Sequence, residues 1–131
     1  MEYLNSKGFI HRDIKPENFV INPTTYEVKM IDFGTVKDIG RSNPPFTAYV
    51  STRWYRSPEC VLRSHTYNTT ADIFAVGCVM VELFTQNPIF PGATELDQLD
   101  TIFKVLGTPR IEQWREGYKL AEKRKLRIED M

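Results

Sequence analysis

The run "ADIFAVGCVMVELF", Ala71 to Phe84, constrains the fold more than any other stretch. Ile73, Phe74, Ala75, Val76, Cys78, Val79, Met80, Val81, Leu83 and Phe84 leave almost no polar face at helical spacing. Thr69 or Thr70 can cap the helix, which is expected to run to about Thr85. A helix apolar all round is buried on all sides, so it belongs to the core of something larger than one helical layer. Asp72 and Glu82 interrupt the run, and it is too short to span a bilayer.

The elements around it are smaller. Met1 to Lys7 reads as the end of a helix stopped by Gly8, in the position glycine favours after a helix. Phe9 to Ile21 reads as short extended pieces around a polar loop. "NPTTYE" is a turn and "VKMI" a strand, set between Asn22-Pro23 and Asp32-Phe33-Gly34. Lys37 to Pro58 is rich in Ser, Thr, Asn, Pro and Gly and is expected to be a long surface loop. After Thr94 comes a second helix, with Asp97 as a capping acid and Leu96, Leu99, Phe103 and Leu106 as its apolar stripe; Gly107-Thr108-Pro109 ends it. The tail from Ile111 to Met131 is charged and partly helical. The expected fold class is α+β, mainly α, with a small β element around the polar loop.

At 131 residues the chain has the size of one domain. With 17 basic and 17 acidic residues it has no net field to draw it to nucleic acid or to an anionic membrane. Cys60 and Cys78 lack metal-site or disulfide spacing and read as small core hydrophobes of a reducing compartment. The N-terminus has no signal-peptide apolar region, so a cytoplasmic chain without a membrane span is expected. The basic cluster Lys123-Arg124-Lys125 reads as a solvated helix face, with a localisation signal as the alternative.

Four features carry chemistry together. "HRDIKPEN" places His11, Arg12, Asp13, Lys15 and Asn18 in one polar loop. Asp32-Phe33-Gly34 follows after a turn and a strand. "RWYRSPE" closes the loop that begins there, and Asp72 opens the apolar helix. In this order they match the H-R-D-L-x-x-x-N catalytic loop and the D-F-G motif of protein kinases, with Ile14 at the Leu position. The chain resembles the C-terminal lobe of a protein serine/threonine kinase over residues 1–131, from the catalytic loop to the helix G region. "TAYVSTRWYRSPE" resembles the T-x-Y lip of the group containing mitogen-activated and cyclin-dependent kinases. "STRWYRSPECVL", "IFPGATELDQL" and "WREGYKL" are most similar to the male-germ-cell-associated and MAPK/MAK/MRK-overlapping kinases, which adds nucleus and cilium or flagellum as possible locations.

Phosphoryl transfer needs a carboxylate to orient a hydroxyl, cationic help for the moving phosphoryl group, and hard oxygen ligands for magnesium. The resemblance implies ATP and Mg²⁺ as cofactors, with Asp13 as base and Lys15 as the phosphate-stabilising cation. It implies Asn18 and Asp32 as metal ligands, Val20 as part of the apolar floor under adenine, and Thr52 as a hydrogen-bonding partner near Asp13 and Lys15. Thr47 and Tyr49 would be the regulatory phosphorylation sites, with Arg12, Arg53 and Arg56 as phosphate partners. His11, Phe33, Glu59 and Asp72 would be structural, Asp72 by anchoring the catalytic-loop backbone. The implied partners are protein substrates, with proline favoured after the phosphoacceptor, and an upstream activating kinase.

There are departures. Ser57 stands where Ala is usual, and Phe74 where Trp is usual. None of the seven glycines forms a G-x-G-x-x-G, and Lys7 is the only lysine before His11. The N-lobe, the last C-lobe helices and the arginine that would pair with Glu59 are therefore expected to be absent. Three readings follow: a kinase represented in part and inactive alone, a non-catalytic binding module competing with an intact kinase, or a degenerate product with exposed apolar surface.

Overall fold

The computed structural model describes residues 1–47 and 52–128. In order come α1 (Glu2–Ser6), β1 (Phe9–Ile10), β2 (Phe19–Ile21), β3 (Val28–Met30), β4 (Lys37–Asp38), α2 (Pro58–Val61), α3 (Thr70–Thr85), α4 (Glu95–Leu106) and α5 (Arg115–Lys123). Single 3-10 turns occupy Pro16–Asn18 and Arg53–Tyr55. The mainly helical α+β class read from the sequence is the one found, and no helix among the described residues is long and apolar enough to cross a membrane.

Two antiparallel ribbons frame the polar loop. β1 pairs β4, Phe9 opposite Asp38 and Ile10 opposite Lys37. β2 pairs β3, with Phe19, Val20 and Ile21 opposite Met30, Lys29 and Val28. Gly8 links α1 to the first ribbon at a φ of +80°, a region that favours glycine. A Cβ there would also stand 2.9 Å from the Gly40 Cα. Asn22 turns the second ribbon: its side-chain oxygen accepts from the amides of Thr24 and Thr25 at 2.9 and 3.1 Å.

Most of the core lies between the helices. Ile14, Tyr55, Val61, Leu62, Ala75, Cys78, Phe90, Leu99, Ile102 and Phe103 belong to one buried cluster. Ile10, Phe46, Cys60, Tyr67 and Ala71 form a second. α3 joins the two, turning Ala71 to the smaller and Ala75 and Cys78 to the larger. These small side chains let neighbouring backbone approach the helix closely.

α3 has the expected bounds but not the expected burial. Ile73, Met80 and Leu83 are exposed, and Phe84 is 84% exposed. Its inward face meets the Arg53–Tyr55 turn and the segment around Phe90, and these cover only one side. The apolar stripe of α4 is also displaced: Gln98, Leu99, Ile102 and Phe103 are buried, whereas Leu96 and Leu106 are exposed. Thr94 caps α4 as expected, accepting from the Asp97 amide at 3.1 Å. The Lys37–Pro58 segment is less of a free loop than its composition indicates. It opens with β4, and Phe46 and Tyr55 are buried in the two clusters.

Burial pushes the Cys60 and Cys78 thiols up to about 12. Their folded-state pKa thus lies above that of the unfolded chain. The protonated thiols' contribution to the fold is fully present below the ordinary thiol pKa and is lost progressively as pH rises from about 9 through about 12. Both cysteines should resist alkylation at pH 8 in the native chain and react at once in urea. Native-state labelling as fast as denatured-state labelling would contradict this burial.

Candidate active site

The site is built on one buried carboxylate. Asp72, in the first turn of α3, is fully buried. Its Oδ2 accepts the His11 amide at 2.7 Å and its Oδ1 the Arg12 amide at 3.0 Å. Arg12 has a φ of 70°, which a residue other than glycine seldom adopts without support from its surroundings. His11, also fully buried, accepts the Asp13 amide on Nδ1 at 3.3 Å and meets the Phe33 ring edge-on at 5.4 Å. Its carbonyl accepts the Thr35 hydroxyl at 2.7 Å. His11, Phe33 and Asp72 thus all meet at the loop backbone.

With its main chain held, the loop presents its polar side chains together. Asp13 is nearly buried and its Oδ2 lies 3.1 Å from Lys15 Nζ. Lys15 Nζ also donates to Thr52 Oγ1 at 3.4 Å, so Thr52 joins the pair across 37 residues. Asn18 donates from Nδ2 to the Asp13 carbonyl at 2.7 Å and to Asp13 Oδ2 at 3.0 Å. Asp13 Oδ1 is buried without a protein partner among the described residues. This leaves an acceptor on the Asp13 carboxylate beside the Lys15 cation.

β2 and β3 bring Asp32 to the same end of the site. Ile31 donates its amide to the Asn18 carbonyl at 2.9 Å, which sets Asp32 one residue beyond Asn18's partner. Asp32 has a φ of 60°, and its Oδ1 accepts the Gly34 amide at 3.2 Å. Asn18 Oδ1 and the second Asp32 oxygen are hard oxygen donors of the kind magnesium takes. Val20, paired with Lys29, is exposed on β2 next to Ile21. These two residues line an open depression of about 270 Å³ with Asn22, Glu27 and Lys29.

The arginines divide. Arg12 donates from Nε to the Thr35 carbonyl at 2.6 Å and from Nη1 to Thr47 Oγ1 at 3.1 Å, so it faces the lip threonine. Arg53 points elsewhere. Its Nη1 donates to the Ala93 carbonyl at 2.8 Å, and Trp54 Nε1 donates to the Gly92 carbonyl at 3.2 Å. Among the described residues its guanidinium bonds the Gly92 and Ala93 carbonyls, and the lip residues 48–51 lie outside the described ones. Arg56 is half-buried behind the Arg53–Tyr55 turn. Tyr49 lies outside the described residues. Glu59 is half-buried in the first turn of α2 and makes no ion pair among the described residues.

Sequence reasoning missed four contributors. Lys37 sets Nζ 5.0 Å from the centre of the Phe46 ring. Tyr67 and His65 hold the segment at Phe46 and Thr47. Their spacing carries no signal, because they act across a turn between α2 and α3. The Tyr55 hydroxyl, which donates to Glu82 Oε2 at 2.8 Å, was equally invisible. Burial together with this carboxylate raises the Tyr55 phenol well above its ordinary range.

Comparison with known proteins accords with this geometry. The model of the protein kinase domain matches residues 1–131. Serine/threonine-protein kinase ICK of Mus musculus is 51% identical over 122 residues, which are 92% of this chain and 19% of the relative. Serine/threonine-protein kinase MAK of Homo sapiens is 47% identical over 129 residues, 98% of this chain and 20% of that protein. Cyclin-dependent kinase F-3 of Oryza sativa is 48% identical over 120 residues, 92% of this chain and 27% of that one. Among solved structures, a chain of the yeast RNA Pol II CTD kinase CTDK-1 complex superposes with a TM-score of 0.86 at 38% identity, over 95% of this chain and 40% of that chain. The chain belongs to the protein kinase family, in the group of the ICK, MAK and cyclin-dependent kinase relatives. It spans about a fifth to a quarter of the length of these curated relatives.

Asp72→Ala removes both acceptors from the His11 and Arg12 amides and should destabilise the fold by about 3 kcal/mol or more. Urea unfolding measures it; a loss below about 1 kcal/mol would show that the loop is held by other contacts.

Proposed function

We propose that residues 1–131 form the part of a serine/threonine protein kinase domain that runs from the catalytic loop to the helix G region. Its reaction is transfer of the ATP γ-phosphoryl group to a serine or threonine hydroxyl of a protein. The observation that carries this reading is the Asp13–Lys15–Thr52–Asn18 cluster on a loop whose backbone is bonded to Asp72.

In this reading Asp13 orients the acceptor hydroxyl and takes its proton on Oδ1, which no donor among the described residues occupies. Lys15, 3.1 Å from Asp13 Oδ2, lends positive charge to the phosphoryl group in flight. Asn18 and Asp32 would hold magnesium, which when bound neutralises phosphate charge. Val20 would lie under the adenine ring. Arg12, facing Thr47, would pair with a phosphate there, and Tyr49 would be the second lip site; an upstream kinase would modify both. Arg56, in "WYRSPE", is proposed to favour proline after the acceptor residue.

The 131 residues carry no G-x-G-x-x-G, so the phosphates of ATP meet only one wall of their site. Isothermal titration of Mg-ATP into this chain is expected to show no saturable binding below the millimolar range and no turnover. Micromolar affinity with turnover abolished by Asp13→Asn would overturn the view that this segment is inactive alone. In a version extended upstream to include a glycine-rich loop, Asp13→Asn should lower kcat by about 10²–10⁴-fold. In the same extended protein, Thr47→Ala with Tyr49→Phe should lower activity at least about tenfold. Unchanged turnover in that double variant removes the lip assignment.

A further inference from the structure

The lip threonine is held by more than Arg12. The turn between α2 and α3 grips the backbone on either side of it. The Phe46 amide donates to the His65 carbonyl at 2.8 Å, and His65 Nδ1 lies 2.6 Å from the Phe46 carbonyl. That carbonyl can only accept, so Nδ1 carries the proton. One residue on, the Tyr67 hydroxyl donates to the Thr47 carbonyl at 2.8 Å. Its proton being committed there, the phenol oxygen accepts Arg12 Nη1 at 3.2 Å, while the same Nη1 reaches Thr47 Oγ1 at 3.1 Å.

The grip is anchored from below. Phe46 is 7% exposed and Tyr67 2%, and their rings lie 5.5 Å apart in the smaller core. Both carbonyls flanking the Thr47 amide are therefore pinned to a turn that is itself fixed to α3. With its main chain pinned on both sides, Thr47 can turn its hydroxyl from the guanidinium only by rotating its own side chain, not by moving the lip backbone.

We infer that the 65–67 turn is a docking cradle for the lip, in which Tyr67 and His65 are positioning residues that hold Thr47 against Arg12 before and after phosphorylation. The inference rests on the reading of Thr47 as a regulatory site. Without the cradle, a phosphate on Thr47 would share its charge with solvent. With it, the phosphate oxygens stay beside the guanidinium and the dianion is favoured.

The test is a ³¹P NMR titration of the 131-residue chain made with phosphothreonine at 47. Its second pKa is expected about one unit or more below the ~6 of an unrestrained phosphomonoester. A peptide of residues 43–51 supplies the reference. Arg12→Gln should return the value to that of the peptide, and Tyr67→Phe, which keeps the ring in its core, should erase at least half of the depression. A native value equal to the peptide's would bring down the Thr47 reading and the cradle with it. A depression that Arg12→Gln abolishes but Tyr67→Phe leaves whole would overturn the cradle while the Thr47 reading stands. Should Tyr67→Phe lose its fold, as judged by its ¹⁵N spectrum, His65→Ala at the exposed end of the turn decides the matter. A halved depression there supports the cradle, and an unchanged one rejects it.

Discussion

A buried carboxylate that accepts two backbone amides holds this molecule to one arrangement. Asp72 lies at the start of an apolar helix, out of water, where an unpartnered charge would cost several kcal/mol. The amides of His11 and Arg12 meet that demand, and in doing so they fix a loop about sixty residues away in sequence. The left-handed backbone of Arg12 and the inward turn of Asp13 follow from that attachment. Strain at one residue is set against two hydrogen bonds to a charge. The polar cluster, the second ribbon and the contact with the lip are then arranged around a fixed point.

From that point the chemistry divides by element. The loop supplies Asp13, Lys15 and Asn18, while β3 delivers Asp32 beside Asn18 through the Ile31–Asn18 hydrogen bond. The Arg53–Tyr55 turn is tied separately to the Gly92–Ala93 carbonyls and to Glu82 on α3. α3 thus carries the attachment of the loop at its first turn and the attachment of the turn near its last. It is the common support for two segments that phosphoryl transfer to a protein would need in register.

Much of this was legible in the sequence because local signals and chemistry agreed. The limits of α3, the Thr94 cap, the glycine after α1 and the "HRDIKPEN" constellation are all written in short stretches. What was not legible depends on partners. The all-round apolarity of α3 pointed to burial, yet Ile73, Met80, Leu83 and Phe84 are exposed, because burial requires neighbours on every side and these residues have them on one. The shift of the α4 stripe toward Ile102 is of the same kind. The bonds of Arg53 to the Gly92 and Ala93 carbonyls likewise depend on segments that only the folded chain brings near it. Phe46 and Tyr67 met no pattern at all; their contact crosses a loop whose composition gave no hint of a buried ring.

The central claim is that Asp72 organises the catalytic loop through two specific hydrogen bonds. Trans-hydrogen-bond scalar coupling in a long-range HNCO-type experiment on the ¹³C,¹⁵N-labelled chain measures it directly. The expected result is a cross-peak from the Asp72 carboxylate carbon to the amide nitrogens of both His11 and Arg12. No cross-peak, with those two amides exchanging as fast as in an unstructured peptide, would contradict the account.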